Sequence, residues 1–334
     1  MNMKDKLYGM YKMFQKWIRL EGYYLLKRIR AKYYVIYREE GGAGFFSNYM
    51  CVLGHIVFAR KLGYIPIIDM KNYPTLYSED IPVEGVDNAW NYYFQNIDNT
   101  SLEAVYQSGR YVLCNGKYME KYSDKYVMPK WRFPTMRTIA FYTPFIESDM
   151  RLRNDLKNEF ETAWSNWVGK KDVVLGIHIR GTDMKNRLGH PTPASTQKYL
   201  DKTYELLGQH PEITKIFLAT DENNIKEIYE NKFQDSKYKL FMNEAFRLWD
   251  HGEKKRTGVH ETKLENPRKY HKYLMGKEVL QDAWFLKQCD YLLCGHDNVA
   301  NVVILWNQNR YKELVCLDPV EDDQSGHENS LQRK

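Results

Sequence analysis

No part of this sequence has the ~18–20 consecutive apolar residues that a membrane-spanning helix needs. Its opening residues also lack the apolar region and small-residue cleavage site of a secretory signal, which predicts a cytoplasmic chain. Cysteine is scarce: Cys51, Cys114, Cys289, Cys294 and Cys316 are an odd set with no Cys-x-x-Cys pair. That spacing gives neither a zinc framework nor a disulfide scaffold, so reduced thiols are expected. Charge of one sign is scarce outside the N-terminus. Of the net +6, residues 1–32 hold nine Lys/Arg against two acids, a balance of +7, which leaves −1 for the rest. A nearly neutral body argues against a nucleic-acid-binding surface. No G-x-G-x-x-G follows a strand-like segment, which counts against a nicotinamide-dependent dehydrogenase. No internal repeat is evident.

What is present is ample: 334 residues, 43% hydrophobic and 28% charged, enough for two globular domains with sizeable cores. The aromatic share is 15%, with 27 Tyr and 8 Trp. Such a composition suits sugar-binding clefts but is not in itself a site. Across residues 4–32, Leu7, Met10, Tyr11, Phe14, Trp17, Ile18, Leu25 and Ile29 recur at helical steps among basic residues. A basic amphipathic helix of this kind lies on an anionic membrane or docks on its own core or a second subunit.

Residues 33–37 then read as a strand, followed by Gly41-Gly-Ala-Gly44, a helix over about 48–62 capped by Ser47, Gly63 just beyond its end, and a strand over 64–69. This order predicts a Rossmann-like βαβ start whose Gly-rich turn lets a ligand approach the backbone at Gly42 and Gly44. Glu39 and Glu40 at this turn would repel a diphosphate, and suit a base acting on an acceptor better than they suit donor binding. The aromatic cluster Asn88–Phe94 is assigned to the core, residues 130–135 to a loop and 150–167 to a helix.

The second half alternates again, with strands at 173–179, 215–219, 238–242, 291–295 and 313–317 and helices at about 197–208, 223–232, 277–288 and 299–308. Residues 244–275 read as a charged loop, either a lid or a solvated insertion, and the tail after Asp318 as fraying. Domain boundaries follow: residues 1–32 an N-terminal helix, 33–165 a first Rossmann-like domain, 166–318 a second Rossmann-like domain and 319–334 a polar tail. Val173–Asp183 is the most informative stretch. A β-branched apolar run breaks into His178, Arg180, Gly181 and Asp183, where open α/β sheets hold ligands. Arg180 could grip a diphosphate through its guanidinium fork. On pattern alone the same polar end reads equally well as a helix cap at Thr182 or Asp183.

Four motifs in order decide between these readings: Gly42-Ala-Gly-Phe45, His178-Ile-Arg-Gly-Thr-Asp183, Phe217-Leu-Ala-Thr-Asp221, and Lys277 to Asp282 continuing to Gly295. From about residue 35 to 310 the chain resembles the fucosyltransferase superfamily of α1,6-fucosyltransferases, nodulation fucosyltransferases and protein O-fucosyltransferases. The resemblance implies an α/β, GT-B-type fold of two Rossmann-like domains facing across a cleft. It also implies a GDP-fucose donor, inversion at the anomeric carbon, and neither metal nor cofactor. The sequence has no Asp-x-Asp, and Asp322-Asp323 sits in the tail. Carried over by position, Arg180 holds the diphosphate, His178 contacts the nucleotide and Asp282 accepts from guanine. Asp297 and Asn298 fall where the family often has serines. An acid beside a diphosphate is unfavourable, so Asn298 is the expected contact. Asp221 and Asp183 are supporting residues. Gly181 stands where α1,6-enzymes carry a second arginine, and the glutamate those enzymes carry soon after the motif has no match near Leu188-Gly189-His190.

The implied chemistry has Arg180 stabilising charge on the departing β-phosphate and a general base removing the acceptor proton. Glu40 is the first candidate base, Glu39 the second and His190 the third. The expected setting is a cytoplasmic enzyme, peripheral at the inner membrane face through residues 4–32, that builds bacterial surface polysaccharide or glycolipid. Its expected partners are a GDP-sugar and a glycan acceptor, lipid-linked or not, with no nucleic acid. Two alternatives stand beside it: a same-fold transferase using another nucleotide sugar such as GDP-mannose, and a non-catalytic glycan-binding protein on a transferase fold. The intact His178, Arg180 and Asp282 argue against the latter.

Overall fold

The computed structural model describes residues 12, 29–38, 43–115, 126, 133–181, 193–248 and 268–317. The expected helix over 4–32, except for residues 12 and 29–32, lies outside these residues. So do Glu39, Glu40, Gly42, Asp183, His190, the stretch 249–267 and the tail from 318.

Two sheets organise the chain, and every named strand pairing is parallel. The first has the order β2-β1-β3, with β1 at Tyr33–Ile36, β2 at Ile65–Ile68 and β3 at Tyr111–Leu113. The second has the order β6-β5-β4-β7-β8, with β4 at Val174–Ile179, β5 at Lys215–Thr220, β6 at Lys239–Phe241, β7 at Tyr291–Gly295 and β8 at Glu313–Leu317. Central β4 is buried along its whole length. A parallel strand with helices on both faces has no solvated side, which is why its sequence runs apolar rather than alternating.

Eight α-helices connect and cover the sheets: α1 Phe45–Lys61, α2 Leu102–Gln107, α3 Met136–Asp149, α4 Asn154–Trp167, α5 Thr196–Gln209, α6 Asn223–Phe233, α7 His271–Leu286 and α8 Asn298–Asn307, among the described residues. This is the α/β, GT-B-type arrangement expected from the motif order. Local capping differs at α1. The helix starts from Gly44 rather than Ser47, with the Phe45 N–H donating to the Tyr77 hydroxyl at 2.8 Å. Ser47 instead accepts from Arg38 Nη1 at 3.1 Å. Helix α3 was not evident from sequence because Pro144 lies inside it. Asp149 takes both nitrogens of an Arg60 fork, at 3.0 and 2.5 Å, so the end of α3 is fastened to α1.

One continuous apolar core runs from β1 and α1 through the aromatic segment to α7, α8 and one face of β5. Trp90, Tyr92, Tyr93 and Phe94 are all buried, as the cluster was assigned. A second core fills the other face of the larger sheet under α5 and α6. The two halves are tied where Trp306 Nε1 of α8 donates to the Tyr49 hydroxyl of α1 at 2.9 Å. They are tied again where the Tyr93 hydroxyl donates to the Tyr273 carbonyl at 3.0 Å. Gly276 permits this second approach, because a Cβ there would lie 2.2 Å from Tyr93 Oη. All five cysteines are free thiols. No helix among the described residues is long and apolar enough to cross a membrane.

Candidate active site

In a parallel sheet the carboxyl ends of neighbouring strands emerge side by side. The register pairs Ile179 of β4 with Thr220 of β5, so Arg180 and Asp221 leave the sheet together. The Asp221 carboxylate accepts the Gly181 N–H at 2.9 Å and fastens that turn to the end of β5. On the other side of β4, β7 ends at Gly295 and is followed by His296, Asp297 and the start of α8 at Asn298. The ring of Phe133, from the N-terminal half, lies against His296 with centroids 4.2 Å apart.

His178 points to the face shared with α7 and α8 and is 8% exposed. It meets Asp297 at 2.7 Å through Nε2 and Oδ2. An ionised carboxylate only accepts, so Nε2 carries the hydrogen. Asp297 also caps α8, its Oδ1 accepting the Ala300 N–H at 2.7 Å. Burial pulls the His178 pKa down, but the charge and hydrogen bond of Asp297, helped by Asp221, outweigh it and the net direction is up. The Asp297 carboxyl moves oppositely: burial raises it, and His178, Arg180 and the Ala300 N–H bring it below the usual carboxylate range. His178 Nδ1 is buried and has no hydrogen-bond partner among the described residues. A buried polar atom left unpaired costs about 1–3 kcal/mol, a cost that a hydrogen-bonding group on a ligand would remove.

The third carboxylate, Asp282, lies on α7 and is buried. Asn243 Nδ2 donates to its Oδ1 at 2.8 Å. Burial drives its pKa up to about 6, against the opposing pull of Arg247, the Asn243 bond and His178. At neutral pH it is therefore mainly an acceptor-only carboxylate, the form suited to the N1–H and N2–H of a guanine. Asn243 is held by a zipped loop. Arg247, itself buried, donates to the carbonyls of Thr220 at 3.1 Å and Asn243 at 2.7 Å. The Asn223 and Leu248 amides close the same loop onto β5, and Phe246 N–H donates to Glu278 of α7 at 3.0 Å. The start of the segment read as a charged, exposed loop is thus packed structure. Its polar groups are satisfied by β5 and α7, which sequence periodicity does not register.

Gly181 abuts Glu222. A Cβ at 181 would lie 2.2 Å from Glu222 Cδ and 2.4 Å from Oε1, and Glu222 is 1% exposed. Where a second arginine was sought, a buried glutamate from the neighbouring strand end already fills the volume.

Of the expected site residues that are described, His178, Arg180, Asp221, Asp282 and Asn298 come together at one edge of the larger sheet, with Asn298 opening α8. Gly44 belongs to the other half and caps α1 with φ −60°, a conformation open to any residue. Nothing described lies within 4 Å of a Cβ built there, so neither backbone nor packing demands glycine. Three residues escaped sequence reasoning, and a fourth, Asp297, was set aside there in favour of Asn298. Asp297, three residues before Ala300 and ahead of an apolar helix, carried a legible N-cap signal. Asn243, Arg247 and Glu222 carried none, because each acts through a partner distant in the chain.

Two parallel sheets, one of them with carboxylates, an arginine and a histidine gathered at its carboxyl edge, make an α/β fold of the GT-B type. No protein-family model and no curated protein matches this sequence. Among solved structures, the chain is similar to the fucosyltransferase NodZ from Bradyrhizobium, with a TM-score of 0.51, 12% identity, and coverage of 87% of this chain and 97% of that one. The NodZ alpha-1,6-fucosyltransferase soaked with GDP-fucose gives a TM-score of 0.50 at 12% identity, covering 85% of this chain and 94% of that one. The likeness is one of fold.

Proposed function

We propose that this protein is an inverting, metal-independent glycosyltransferase that moves fucose from GDP-fucose to a glycan hydroxyl. The observation that carries the reading is the convergence of Arg180, the His178–Asp297 pair and an ionisable Asp282 on one sheet edge. Asp282 accepts from guanine, while Arg180 and His178 hold the diphosphate. The acceptor oxygen bonds to the anomeric carbon as the bond to the β-phosphate oxygen breaks, and GDP leaves with that electron pair. Charge grows on the phosphate, where a fixed guanidinium is most effective. The acceptor proton passes to a base, for which Glu40 on the Gly-rich turn is the first candidate. In this scheme residues 33–165 serve the acceptor and residues 166–318 the donor, with Asn298, Gly42 and Gly44 lining the donor path and Asp183 supporting the turn.

A ligand at one hundred times its Kd raises stability by about 2.7 kcal/mol. Thermal melts with GDP, GDP-fucose, GDP-mannose and UDP therefore test the donor, and turnover of GDP-fucose by wild type and R180A tests the chemistry. Stabilisation by UDP alone overturns the GDP assignment. Equal, negligible turnover by both proteins, with glycan binding retained, makes the protein a binder on a transferase fold. Residues 4–32 place the enzyme peripherally on an anionic membrane, in line with a lipid-linked acceptor in bacterial surface-glycan synthesis at the cytoplasmic face. Flotation with anionic vesicles of the full chain and of a chain lacking residues 1–32 tests this, and equal partitioning refutes it.

A further inference from the structure

The sequence made Asp297 an unfavourable neighbour for a diphosphate, yet the structure gives its charge a use. We propose that Asp297 is a positioning residue that holds His178 as a doubly protonated imidazolium, with Nδ1–H left to donate to a diphosphate oxygen of the bound nucleotide. The inference rests on the donor reading above and adds a residue and a protonation state to it.

Three observations converge. Asp297 engages His178 at 2.7 Å through Nε2, which fixes the ring and leaves only Nδ1 for a ligand. Nδ1 is buried without a partner among the described residues, so the site holds a polar atom that the described fold itself does not use. The second carboxylate oxygen caps α8 at 2.7 Å, so Asp297 is anchored to the helix and cannot follow His178 if the ring turns. The charged groups acting on the imidazole come from each packed element: Arg180 beyond β4 and Asp221 beyond β5, Asp282 on α7 and Asp297 at α8. Three acids against one arginine favour the imidazolium. A diphosphate, as an anion, favours it further, and Asp297 then no longer repels the ligand because its charge is matched by His178.

The consequence is a bell-shaped pH dependence of nucleotide affinity. Protonation of Asp282 weakens the guanine contact as the pH falls through about 6. Loss of the His178 proton weakens the diphosphate contact as the pH rises through the raised pKa of the imidazole. The test is calorimetric titration of GDP and of guanosine into the full chain from pH 5 to 9, for wild type, D297N and D297S. Asn and Ser cap helices about as well as Asp, so both variants keep the α8 N-terminus. The expected result is at least about tenfold weaker GDP binding at pH 7 in both variants, guanosine within about twofold of wild type, and an alkaline limb displaced to lower pH. Histidine ring NMR of the unliganded proteins should show the His178 titration moving down in D297N. Unchanged GDP affinity and pH profile in the variants overturns the inference, as does equal weakening of GDP and guanosine, which would mark a merely structural role. A wild type that binds no GDP at all overturns the donor reading instead, and with it the ligand assigned to Nδ1.

Discussion

Replacing Asp282 by Asn should make the protein more stable and abolish its use of guanine nucleotides. The carboxyl is held near pKa 6 rather than 3.8 because it is buried, and the opposing pull of Arg247, Asn243 and His178 is already included in that net shift. At about 1.4 kcal/mol per pKa unit, ionising it in the folded state costs about 3 kcal/mol. The sign follows from the linkage. A folded-state pKa above the unfolded one adds stability that is complete below about pH 4 and lost as the pH rises through about 6. Asn behaves as the protonated acid at every pH, and its amide oxygen can still accept from Asn243 Nδ2. The gap between D282N and wild type should therefore be near zero at pH 4, open between pH 4 and 6, and level off above. An unfolding entropy of about 2.1 cal/mol/K per residue gives this chain about 0.7 kcal/mol/K, so the plateau corresponds to a rise in Tm of about 4 °C. Thermal melts of both proteins at pH 4, 5, 6 and 8 measure it, and titration with GDP at pH 8 measures the functional loss. A variant no more stable than wild type at pH 8, or a gap that does not change with pH, refutes the account of Asp282 as a carboxylate ionised at the cost of stability.

R180A should lower GDP-fucose turnover by about 10²–10³, the usual effect of removing one contact to developing charge, and leave the melting transition near that of wild type. G181A should destabilise by about 1–3 kcal/mol through its clash with Glu222, and a double-mutant cycle with E222A in urea should show coupling of about 1 kcal/mol or more; additivity would mean that the two do not share that volume. G276A drives a methyl against Tyr93 across the junction of the halves and should cost about 1–3 kcal/mol by chemical denaturation, with little recovered in G276A/Y93F because the ring carbon Cζ, 2.6 Å from the added Cβ, remains. Y49F leaves the Trp306 indole N–H unpaired and should cost about 1 kcal/mol by chemical denaturation.

What could be read from the sequence follows from what patterns record. The strands of both sheets stood out because buried parallel strands are short β-branched runs between turn residues, as Val173–Ile179 illustrates. Helices with an apolar stripe were legible too, whereas α3 was hidden by Pro144, a residue that usually breaks or kinks a helix interior. At the candidate site, His178, Arg180 and Asp282 could be picked out because motif order carried them. The partner that gives His178 its charge could not, since Asp297 lies 119 residues away in the chain. Asn243 and Arg247 sit in a stretch whose composition looks solvated, and only the Asp282 carboxylate that Asn243 binds and the carbonyls that Arg247 binds explain their burial. Gly181 was noticed for the arginine it lacks, but the reason for a glycine there belongs to Glu222, at the start of α6.

The Trp306–Tyr49 and Tyr93–Tyr273 ties, set in a single apolar core, bear on how this protein can be divided. Helices α7 and α8, which lie against the larger sheet and each other, present a further face to α1 and the aromatic segment. A fragment beginning near residue 166 would expose that face to water and have no partner with which to bury it. The C-terminal half is therefore not a portable module, and exchanging N-terminal halves between proteins of this fold would first require rebuilding the seam.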